Sequence, residues 1–504
     1  MNLEKHLEKH FGYTSFRQGQ KETVSEILRG HSTLSMLPTG TGKSLCYQLP
    51  AYIMDKPAVV VSPLLSLMQD QAEQLRFWGE KRVVSFNSFL TFEEKQMALR
   101  SLSKYRFIFV SPEMLNSRRL MDALREIDIG LFVIDEAHCI SQWGYDFRPD
   151  YLNLGAVRAS LGNPLTLALT ATATPEVRED IIHKLGAGVF TQIISSVDRT
   201  NISMNVEKFS SFNQKLDRLI ELTGELQGPG IIYVSSKKTA EMLSEQIQQA
   251  GHSRTAFYHG GMEQEQRVLI QQQFLHNELD IICATSAFGM GINKDNVRYI
   301  IHFQMPMQME SYLQEIGRAG RDGMESAAIL LYMDGDEGLQ LNLIENELPS
   351  ASQIKGFMNF ISEKKLQHEE VLQLLGSNVS INQFSLSEVQ LRVMHSFFKM
   401  EGGTDSFEAV GESILSFTEH RREVKLKKLG VFLKWLDGSG CRRERVAAYF
   451  KQDAAPKPVY CCDRCGVSLS AYRRREEVTR FRKPVFNWKE ELSEMLVPKK
   501  GASE

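Results

Sequence analysis

A phosphate-binding loop is indicated near the N-terminus of the chain. The segment PTGTGKS follows an apolar run of strand type and opens a helical pattern. Its glycines let backbone N–H groups approach phosphate oxygens, and the helix N-terminus adds positive potential. Lys43 is expected to reach the β- and γ-phosphates, and Ser44 is expected to bind Mg²⁺. The residues predicted to bind the nucleotide here are Leu37, Pro38, Thr39, Gly40, Thr41, Gly42, Lys43 and Ser44, with Leu37 at a position where glycine is usual.

Two adjacent carboxylates provide the second half of a nucleotide site. Asp135 and Glu136 end an apolar run and begin the sequence DEAH. A buried strand would present both side chains at its carboxyl end, where Asp135 can hold Mg²⁺ and Glu136 can position and polarise an attacking water. An Asp-Glu pair is common on protein surfaces, but a pair at the end of an apolar strand favours hydrolysis of a nucleotide.

A pair of arginines further along the chain completes the set of candidate residues for nucleotide hydrolysis. The segment QEIGRAGRD runs from Gln314 to Asp322, and its arginines Arg318 and Arg321 share one face of a helix. A guanidinium group matches the charge that develops on a transferring phosphoryl group. A solvated basic helix is the alternative. We favour an arginine finger at Arg321, with Arg318 and Gln314 as further catalytic candidates, because a motor needs its nucleotide to bridge two units.

Alternating apolar runs and amphipathic segments must position these groups. In the first part of the chain the runs of strand type are Ser32–Leu37, Ala58–Ser62, Phe107–Ser111, Leu131–Asp135 and Leu165–Thr170. The alternation of apolar runs with amphipathic segments starts again after Phe209. Its runs of strand type are Gly230–Val234, Thr255–Tyr258, Asp280–Ala284, Arg298–Phe303 and Ala327–Tyr332. Such alternation predicts two α/β units, each with a parallel sheet between helices, and ligands bind at the carboxyl ends of such strands.

The remainder of the chain differs in pattern and in charge. Helical patterns such as Ser387–Met400 and Glu419–Trp435 replace the strands. Between Arg421 and Lys500 there are 21 Lys or Arg and 10 Asp or Glu, a net charge of +11, whereas the whole chain carries −3. A basic segment on an acidic body favours a polyanionic partner, although charge alone also fits a solvated surface. The predicted domains are α/β units at 1–207 and 208–345, a helical or winged-helix-like region at 346–440, and a basic tail at 441–504.

Seven cysteines fall into two sets. Three are scattered through apolar stretches, as expected of inert core thiols: Cys46, Cys139 and Cys283. The other four cluster in the basic tail: Cys441, Cys461, Cys462 and Cys465. Four thiolates suffice for tetrahedral Zn²⁺, and a cytosolic cluster favours metal over disulfides. Four free thiols are the alternative. No apolar run approaches the roughly 18 residues that a membrane span needs, and the expected location is the cytoplasm, in association with the nucleoid.

The order of the motifs resembles the second helicase superfamily, and their details resemble the RecQ family. The segment FGYTSFRQGQ, which ends at Gln20, is similar to the motif that precedes the phosphate loop in that family. The resemblance implies that Tyr13 stacks on adenine and that Arg17 and Gln20 contact the nucleotide. It also implies two tandem RecA-like domains, followed by a mainly helical zinc-binding region.

The segment after the DEAH sequence, CISQWGYDFRP, carries the most specific likeness. It is similar to the aromatic-rich loop of RecQ proteins, which couples DNA contact to ATP hydrolysis, and the resemblance assigns that role to Trp143, Phe147 and Arg148. Aromatic rings beside an arginine also suit single-stranded DNA, by stacking and cation–π contact. The alternative is that the rings pack in the core. The Gly, Asp and Arg residues between them argue against this alternative.

Four shorter segments also resemble helicase motifs. They are SPL from Ser62, TAT from Thr170, YHGG from Tyr258 and AFGMGIN shortly after Thr285. In the family several such motifs contact the DNA backbone or link the two lobes. The resemblance therefore adds Ser62 and Thr285 to the predicted DNA-contacting residues.

The C-terminal part departs from the family pattern. RecQ proteins carry a Cys-Arg-Arg helix and then three spaced cysteines, whereas Cys461 and Cys462 are adjacent, which leaves the geometry of a zinc site open. The connection from Asp322 to Cys441 is longer than usual, which indicates an insertion. The 39 residues after Cys465 are too few for a winged helix plus an HRDC domain. A short, bacterial-type member with a divergent zinc tail and no HRDC domain is expected.

The resemblance implies an ATP-dependent DNA helicase with 3′-to-5′ polarity that acts in recombination and repair. Its implied cofactors are ATP, Mg²⁺ and Zn²⁺, and its partners are single-stranded and duplex DNA, with a single-strand-binding protein as one candidate protein partner. Three alternatives stay open. They are an RNA-dependent ATPase or helicase, an ATP-driven nucleic-acid remodeller without processive unwinding, and a zinc scaffold with a decayed motor.

Overall fold

The computed structural model contains two parallel β-sheets. It describes residues 2–63, 65–87, 90–141, 149–186, 188–289, 294–377, 384–401 and 406–474. The strands of the first sheet are β1 Thr33–Met36, β2 Ala58–Val61, β3 Val83–Phe86, β4 Phe107–Val110, β5 Leu131–Ile134, β6 Thr166–Thr170 and β7 Thr191–Ile194. Their spatial order is β3-β4-β2-β5-β6-β1-β7, and all neighbours are parallel. Strands β1 and β5 lie on either side of β6, so the segments that follow them meet at one edge of the sheet.

The second sheet has six parallel strands. They are β8 Ile202–Phe209, β9 Gly230–Tyr233, β10 Thr255–Tyr258, β11 Ile281–Ala284, β12 Tyr299–His302 and β13 Ser326–Met333, in the order β10-β11-β9-β12-β13-β8. Most central strands are buried throughout because helices cover both faces, which is why they appear in the sequence as continuous apolar runs. Two tandem parallel-sheet units were predicted, and the structure confirms them.

The second unit begins earlier than the strand rhythm indicated. Strand β8 pairs with β13 along its whole length, so Ile202–Phe209 belongs to the second sheet, and the boundary placed at 207/208 falls within this strand. Strands β3 and β7 were also not anticipated. Strands β7 and β8 mix polar and apolar residues at the sheet edge, and such a pattern lacks the apolar run by which the central strands were recognised.

Helices surround both sheets. In the first lobe they are α1 Leu3–Phe11, α2 Gln20–Leu28, α3 Leu45–Met54, α4 Leu65–Phe77, α5 Phe92–Arg100, α6 Arg118–Arg125, α7 Leu154–Ser160 and α8 Pro175–Lys184. In the second lobe they are α9 Phe212–Glu225, α10 Lys237–Gln249, α11 Gln264–Leu275, α12 Met309–Ile316 and α13 Asp336–Glu347. Here the first lobe means the first sheet with its helices, and the second lobe means the second sheet with its helices.

A helical region follows the second lobe. Its helices are α14 Ala351–Glu363, α15 His368–Leu375, α16 Glu388–Glu401, α17 Phe407–Asp437 and α18 Arg442–Tyr449. Within residues 351–377, 384–401 and 406–449 no strand is present, and the first four helices share an apolar core that includes Phe357, Val371, Phe398 and Ile414. This part is therefore helical in its described residues. No helix in the described ranges is long and apolar enough to span a bilayer.

Candidate ATPase site between the lobes, and a cysteine cluster

The phosphate loop lies between β1 and α3. Gly40 and Gly42 have φ values of +86° and +73°, a left-handed conformation that glycine adopts without strain. The amide of Gln20 donates to the carbonyls of Thr41 at 2.7 Å and Gly42 at 3.0 Å, which holds the loop from the side. The side chain of Leu37 is fully buried in the core of the first lobe. A loop shaped in this way is ready to surround phosphate groups.

The motif that precedes the loop in sequence also lies beside it. The guanidinium of Arg17 donates to the carbonyl of Gly40 at 2.5 Å, and the backbone N–H of Arg17 donates to Oε1 of Gln20 at 2.8 Å. Tyr13 is half exposed. The structure thus brings Arg17 and Gln20 together beside the phosphate loop.

The two carboxylates lie directly opposite the loop lysine. Nζ of Lys43 is 3.5 Å from Oε1 of Glu136, and Nδ1 of His138 is 3.4 Å from Oε2 of the same carboxylate. The same His138 nitrogen lies 3.0 Å from the hydroxyl of Thr170 at the end of β6. Glu136 has a φ of +48°, which is unusual for a non-glycine residue and common where function requires it.

Burial and charge move the two carboxyl pKa values in opposite directions. Burial, together with the neighbouring charge of Glu136, raises the pKa of Asp135 to about 6. Burial also acts to raise the pKa of Glu136, but Lys43, His138 and Arg318 together outweigh it, so that this pKa is lowered. Glu136 is therefore held as a carboxylate by cations from both lobes.

The second lobe reaches the phosphate loop through its arginine-bearing turn. The side chain of Arg321 lies against Gly40, where a Cβ atom would be 2.7 Å from Cγ of Arg321. A Cβ on Gly317 would lie 3.1 Å from Cβ of Thr39. Burial, together with the nearby Arg318, lowers the pKa of Arg321 to about 10. Gln314 is buried on α12, one turn before the arginines.

One residue of this interface was not anticipated. Arg199 lies in the segment between β7 and β8 and donates to the carbonyl of Thr39 at 2.9 Å and to that of Gly317 at 3.1 Å. It therefore touches both lobes. An isolated arginine in the segment SVDRTN carries no periodicity or motif that would single it out in this sequence.

Two of the predicted DNA-contacting residues lie at carboxyl ends of strands. Ser62 directly follows β2, and Thr285 directly follows β11. The hydroxyl of Ser62 is buried and has no hydrogen-bond partner among the described atoms. Trp143, Phe147 and Arg148 lie outside the described residues.

The residue Tyr151, just after the aromatic-rich segment, is fully buried. Its hydroxyl donates to the backbone carbonyl of Asp135 at 3.3 Å. Tyr151 therefore connects the residues just after that segment to the backbone of Asp135.

The four C-terminal cysteines converge on one point. One sulfur atom from each of Cys441, Cys461, Cys462 and Cys465 lies within 4.8 Å of all the others, and the Cys441 and Cys461 sulfurs are 3.5 Å apart. A tetrahedral Zn²⁺ site with Zn–S bonds of about 2.3 Å places its sulfurs about 3.8 Å apart. The adjacency of Cys461 and Cys462 does not keep their sulfurs from the cluster. The residues present fit a four-thiolate metal site.

The cysteine cluster is anchored by buried ion pairs. Arg442 binds Asp463 through two hydrogen bonds of 2.5 and 2.9 Å, which closes the turn that carries Cys465. The helices next to the cluster are also fastened to the second lobe, where buried Glu310 on α12 is 2.7 Å from Nζ of Lys428 and accepts from Tyr449 at 2.9 Å. The other three cysteines, Cys46, Cys139 and Cys283, are fully buried in the apolar cores of the two lobes, as predicted for core thiols.

Comparison with known proteins agrees with this architecture. The model of the DEAD/DEAH box helicase family matches residues 17–181, and that of the helicase conserved C-terminal domain matches residues 213–323. Together with the two sheets and the site between them, these matches define a two-domain helicase. A Bacillus subtilis (strain 168) protein named "Probable ATP-dependent DNA helicase RecS" is 44% identical over 492 residues, which cover 97% of each chain. The chain belongs to the RecQ family of helicases.

Other relatives share less of their length. The ATP-dependent DNA helicase RecQ of Haemophilus influenzae is 40% identical over 352 residues, which cover 69% of this chain and 56% of that protein. The crystal structure of the DUF1998 helicase MrfA bound to DNA superposes with a TM-score of 0.57 at 19% identity, covering 67% of this chain and 49% of that chain. This structural likeness concerns the fold.

Proposed function

We propose that the chain couples ATP hydrolysis between its lobes to 3′-to-5′ movement on single-stranded DNA, and so separates duplex strands during recombination and repair. It is an ATP-dependent DNA helicase, as its RecS and RecQ relatives are named. One observation carries the proposal for the site. The phosphate loop and carboxylates of the first lobe meet the arginine-bearing turn of the second at Gly40 and Thr39. A nucleotide bound there would contact both lobes, so a change in the nucleotide would affect both.

Each site residue has a proposed role. Lys43 binds the β- and γ-phosphates, and Ser44 and Asp135 are the ligands available to Mg²⁺. Glu136 orients the attacking water and accepts its proton, because its carboxylate is kept ionised by nearby cations. Arg321 stabilises the charge on the transferring phosphoryl group.

The remaining contacts follow the family pattern. Tyr13, Arg17 and Gln20 are proposed to recognise adenine and support the loop. Trp143, Phe147 and Arg148 are proposed to contact unstacked DNA. Ser62 and Thr285 are proposed to contact its backbone. We further place the protein in the cytoplasm with the nucleoid, where its DNA lies, with a single-strand-binding protein as a candidate partner.

The proposal is tested by measuring ATP turnover and strand separation side by side. The substrates are a 3′-tailed duplex, a 5′-tailed duplex and the matching RNA duplexes, with Lys43→Ala protein as the control for contaminating activity. We expect ATPase stimulated by single-stranded DNA and unwinding of the 3′-tailed DNA alone. Stimulation by RNA only would favour an RNA helicase. DNA-stimulated hydrolysis without strand separation would favour a remodeller.

We also propose that the four cysteines bind one Zn²⁺. The ligand count, the converging sulfurs and the burial of three of the four side chains support this assignment. A bound metal would join the start of α18 to the turn that carries Cys462 and Cys465. Because the site cannot exist in the unfolded chain, the free energy of metal binding is also free energy of folding.

Elemental analysis is expected to find one Zn²⁺ per chain. Cys441→Ser or Cys465→Ser should lower the zinc content and the melting temperature, because either change leaves three thiolates. Cys283→Ala is the matched control, since it removes a buried thiol outside the cluster and should leave zinc content unchanged. Metal-free protein with the same melting temperature and activity would contradict the assignment.

A further inference from the structure

Arg199 binds backbone carbonyls of both lobes at once. Its guanidinium donates to the carbonyl of Thr39 at 2.9 Å in the first lobe. In the second lobe it donates to the carbonyls of Gly317 at 3.1 Å, Ala319 at 3.1 Å and Gly320 at 2.6 Å. The planar donor fork of arginine can bind several acceptors in fixed directions, which a lysine ammonium cannot do.

The three carbonyls of the second lobe lie just beyond the C-terminal end of α12. Helix α12 ends at Ile316, Gly317 is its C-terminal capping residue, and Ala319 and Gly320 follow in the turn. A positive charge at this end is also favoured by the helix dipole. Burial and the nearby Arg17 lower the pKa of Arg199, whereas Asp322 acts to raise it, and four backbone carbonyls accept hydrogen bonds from the guanidinium.

The carbonyls that Arg199 binds flank the proposed catalytic groups. Gly317 to Gly320 contain Arg318 and lead directly to Arg321. Thr39 precedes Gly40, against which the side chain of Arg321 lies. Arg199 therefore joins the phosphate loop to the arginine-bearing turn through hydrogen bonds to both.

The segment that carries Arg199 is itself held by the helix that follows Cys441. Arg443 is buried and donates to the carboxylate of Asp198, to the carbonyl of Arg199 at 3.1 Å and to that of Ile202 at 2.6 Å. Gln452, just beyond α18, accepts from the N–H of Val197 at 3.0 Å. The cysteine cluster is thus connected to the ATP site by an unbroken series of contacts.

We propose that Arg199 is a positioning residue for ATP hydrolysis and that Arg443 holds it there, so that the cysteine-bearing region controls turnover as well as its own stability. This inference rests on the ATP site assigned above. It goes beyond that assignment, because it gives a role in ATP hydrolysis to Arg199, which lies between the lobes, and to Arg443, which lies beside the proposed metal ligands.

The first test compares Arg199→Ala and Arg199→Lys in the full chain. At saturating single-stranded DNA we expect Arg199→Ala to lower kcat for ATP about 10²-fold, the size of effect that a misplacement of about 1 Å can have. KM for ATP should change much less, since the phosphate loop itself is intact. Arg199→Lys should be intermediate, because it keeps the charge but not the fork. Zinc content and melting temperature are measured on the same samples and should stay close to wild type.

The second test is a double-mutant cycle with Arg443→Ala. If Arg443 acts through Arg199, Arg443→Ala should lower kcat in the otherwise wild-type protein. The same change should alter kcat little in the Arg199→Ala background. If the Arg443→Ala protein loses its metal, Asp198→Asn replaces Arg443→Ala in the cycle. This change weakens the contact between Arg443 and Asp198 from the side of Asp198. Lys451→Ala is the matched control, since it removes an exposed ion pair of 2.5 Å that joins this region to Glu176 of the first lobe without touching the segment of Arg199.

The outcomes separate this inference from the proposed function. A wild-type kcat in Arg199→Ala, or an equal loss from Arg443→Ala in both backgrounds, overturns the inference and leaves the ATP site standing. Wild-type protein without DNA-stimulated hydrolysis would overturn the proposed function itself.

Discussion

Lys43→Ala is expected to reduce DNA-stimulated ATP hydrolysis to background and to abolish strand separation. The lysine ammonium is the cation of the phosphate loop, and it lies 3.5 Å from Oε1 of Glu136. Its removal takes away a positive charge from the phosphates and from the carboxylate that it keeps ionised. Loss of a single electrostatic stabiliser of a transition state costs about 10²–10³-fold in turnover, and here two effects combine. The measurement is phosphate release at saturating ATP and single-stranded DNA.

Glu136→Gln distinguishes binding from turnover at the same site. The amide has nearly the same shape but cannot accept a proton, so ATP binding should persist while turnover falls by about 10²–10⁴-fold. Binding is followed with a fluorescent ATP analogue. Near-normal DNA-stimulated turnover in Lys43→Ala or Glu136→Gln would show that the site has been assigned to the wrong residues.

Arg321→Ala is expected to lower turnover by about 10³–10⁵-fold, the range found for arginine fingers. The affinity for ATP should fall much less, because the contact matters most when charge develops on the transferring phosphoryl group. The structure supplies the geometric basis, since Arg321 lies against Gly40 of the phosphate loop although it belongs to the other lobe. Steady-state kcat and the Kd for a non-hydrolysable analogue are measured on the same preparations.

Arg298→Ala is the control for that experiment. Arg298 forms a 2.5 Å ion pair with Asp322, the residue after Arg321, and has no contact with the phosphate loop among the described residues. It should leave kcat within a few-fold of wild type if the effect of Arg321 is specific. A loss confined to ATP affinity in Arg321→Ala would assign it a ground-state binding role, and Arg318 or Gln314 would then become the catalytic candidate.

Much of the fold could be predicted because its central strands are short, apolar and regularly spaced. The runs that contain β1, β2, β4, β5 and β6 were located to within a residue or two of their observed ends. Three of the four edge strands, β3, β7 and β8, escaped detection, whereas the fourth, β10, was predicted; β7 and β8 mix polar and apolar residues and lack a continuous apolar run. Helix α17 extends well before the predicted start at Glu419, because its N-terminal half packs in the separate core of the helical region.

The sequence by itself determined the chemical groups of this protein. The glycines, lysine and serine of the phosphate loop, the Asp135–Glu136 pair and the four clustered cysteines each lie within a few consecutive residues or on one recognisable pattern. Their chemistry follows from residue type and local backbone geometry, which nearby sequence controls. The number of possible metal ligands was therefore known, although the convergence of adjacent Cys461 and Cys462 on one point was not.

Only the tertiary structure decided which distant groups meet. Arg321 reaches Gly40, Arg199 reaches Thr39 and Gly317, and Arg443 reaches Asp198, across separations of more than a hundred residues in sequence. Such contacts depend on how two sheets and a helical region pack together, and no local pattern encodes them. An arginine that binds backbone carbonyls is especially hard to predict. Every residue has a backbone carbonyl, so the sequence does not show which ones the arginine will bind. The linkage between the cysteine cluster and the ATP site consists of contacts of this kind.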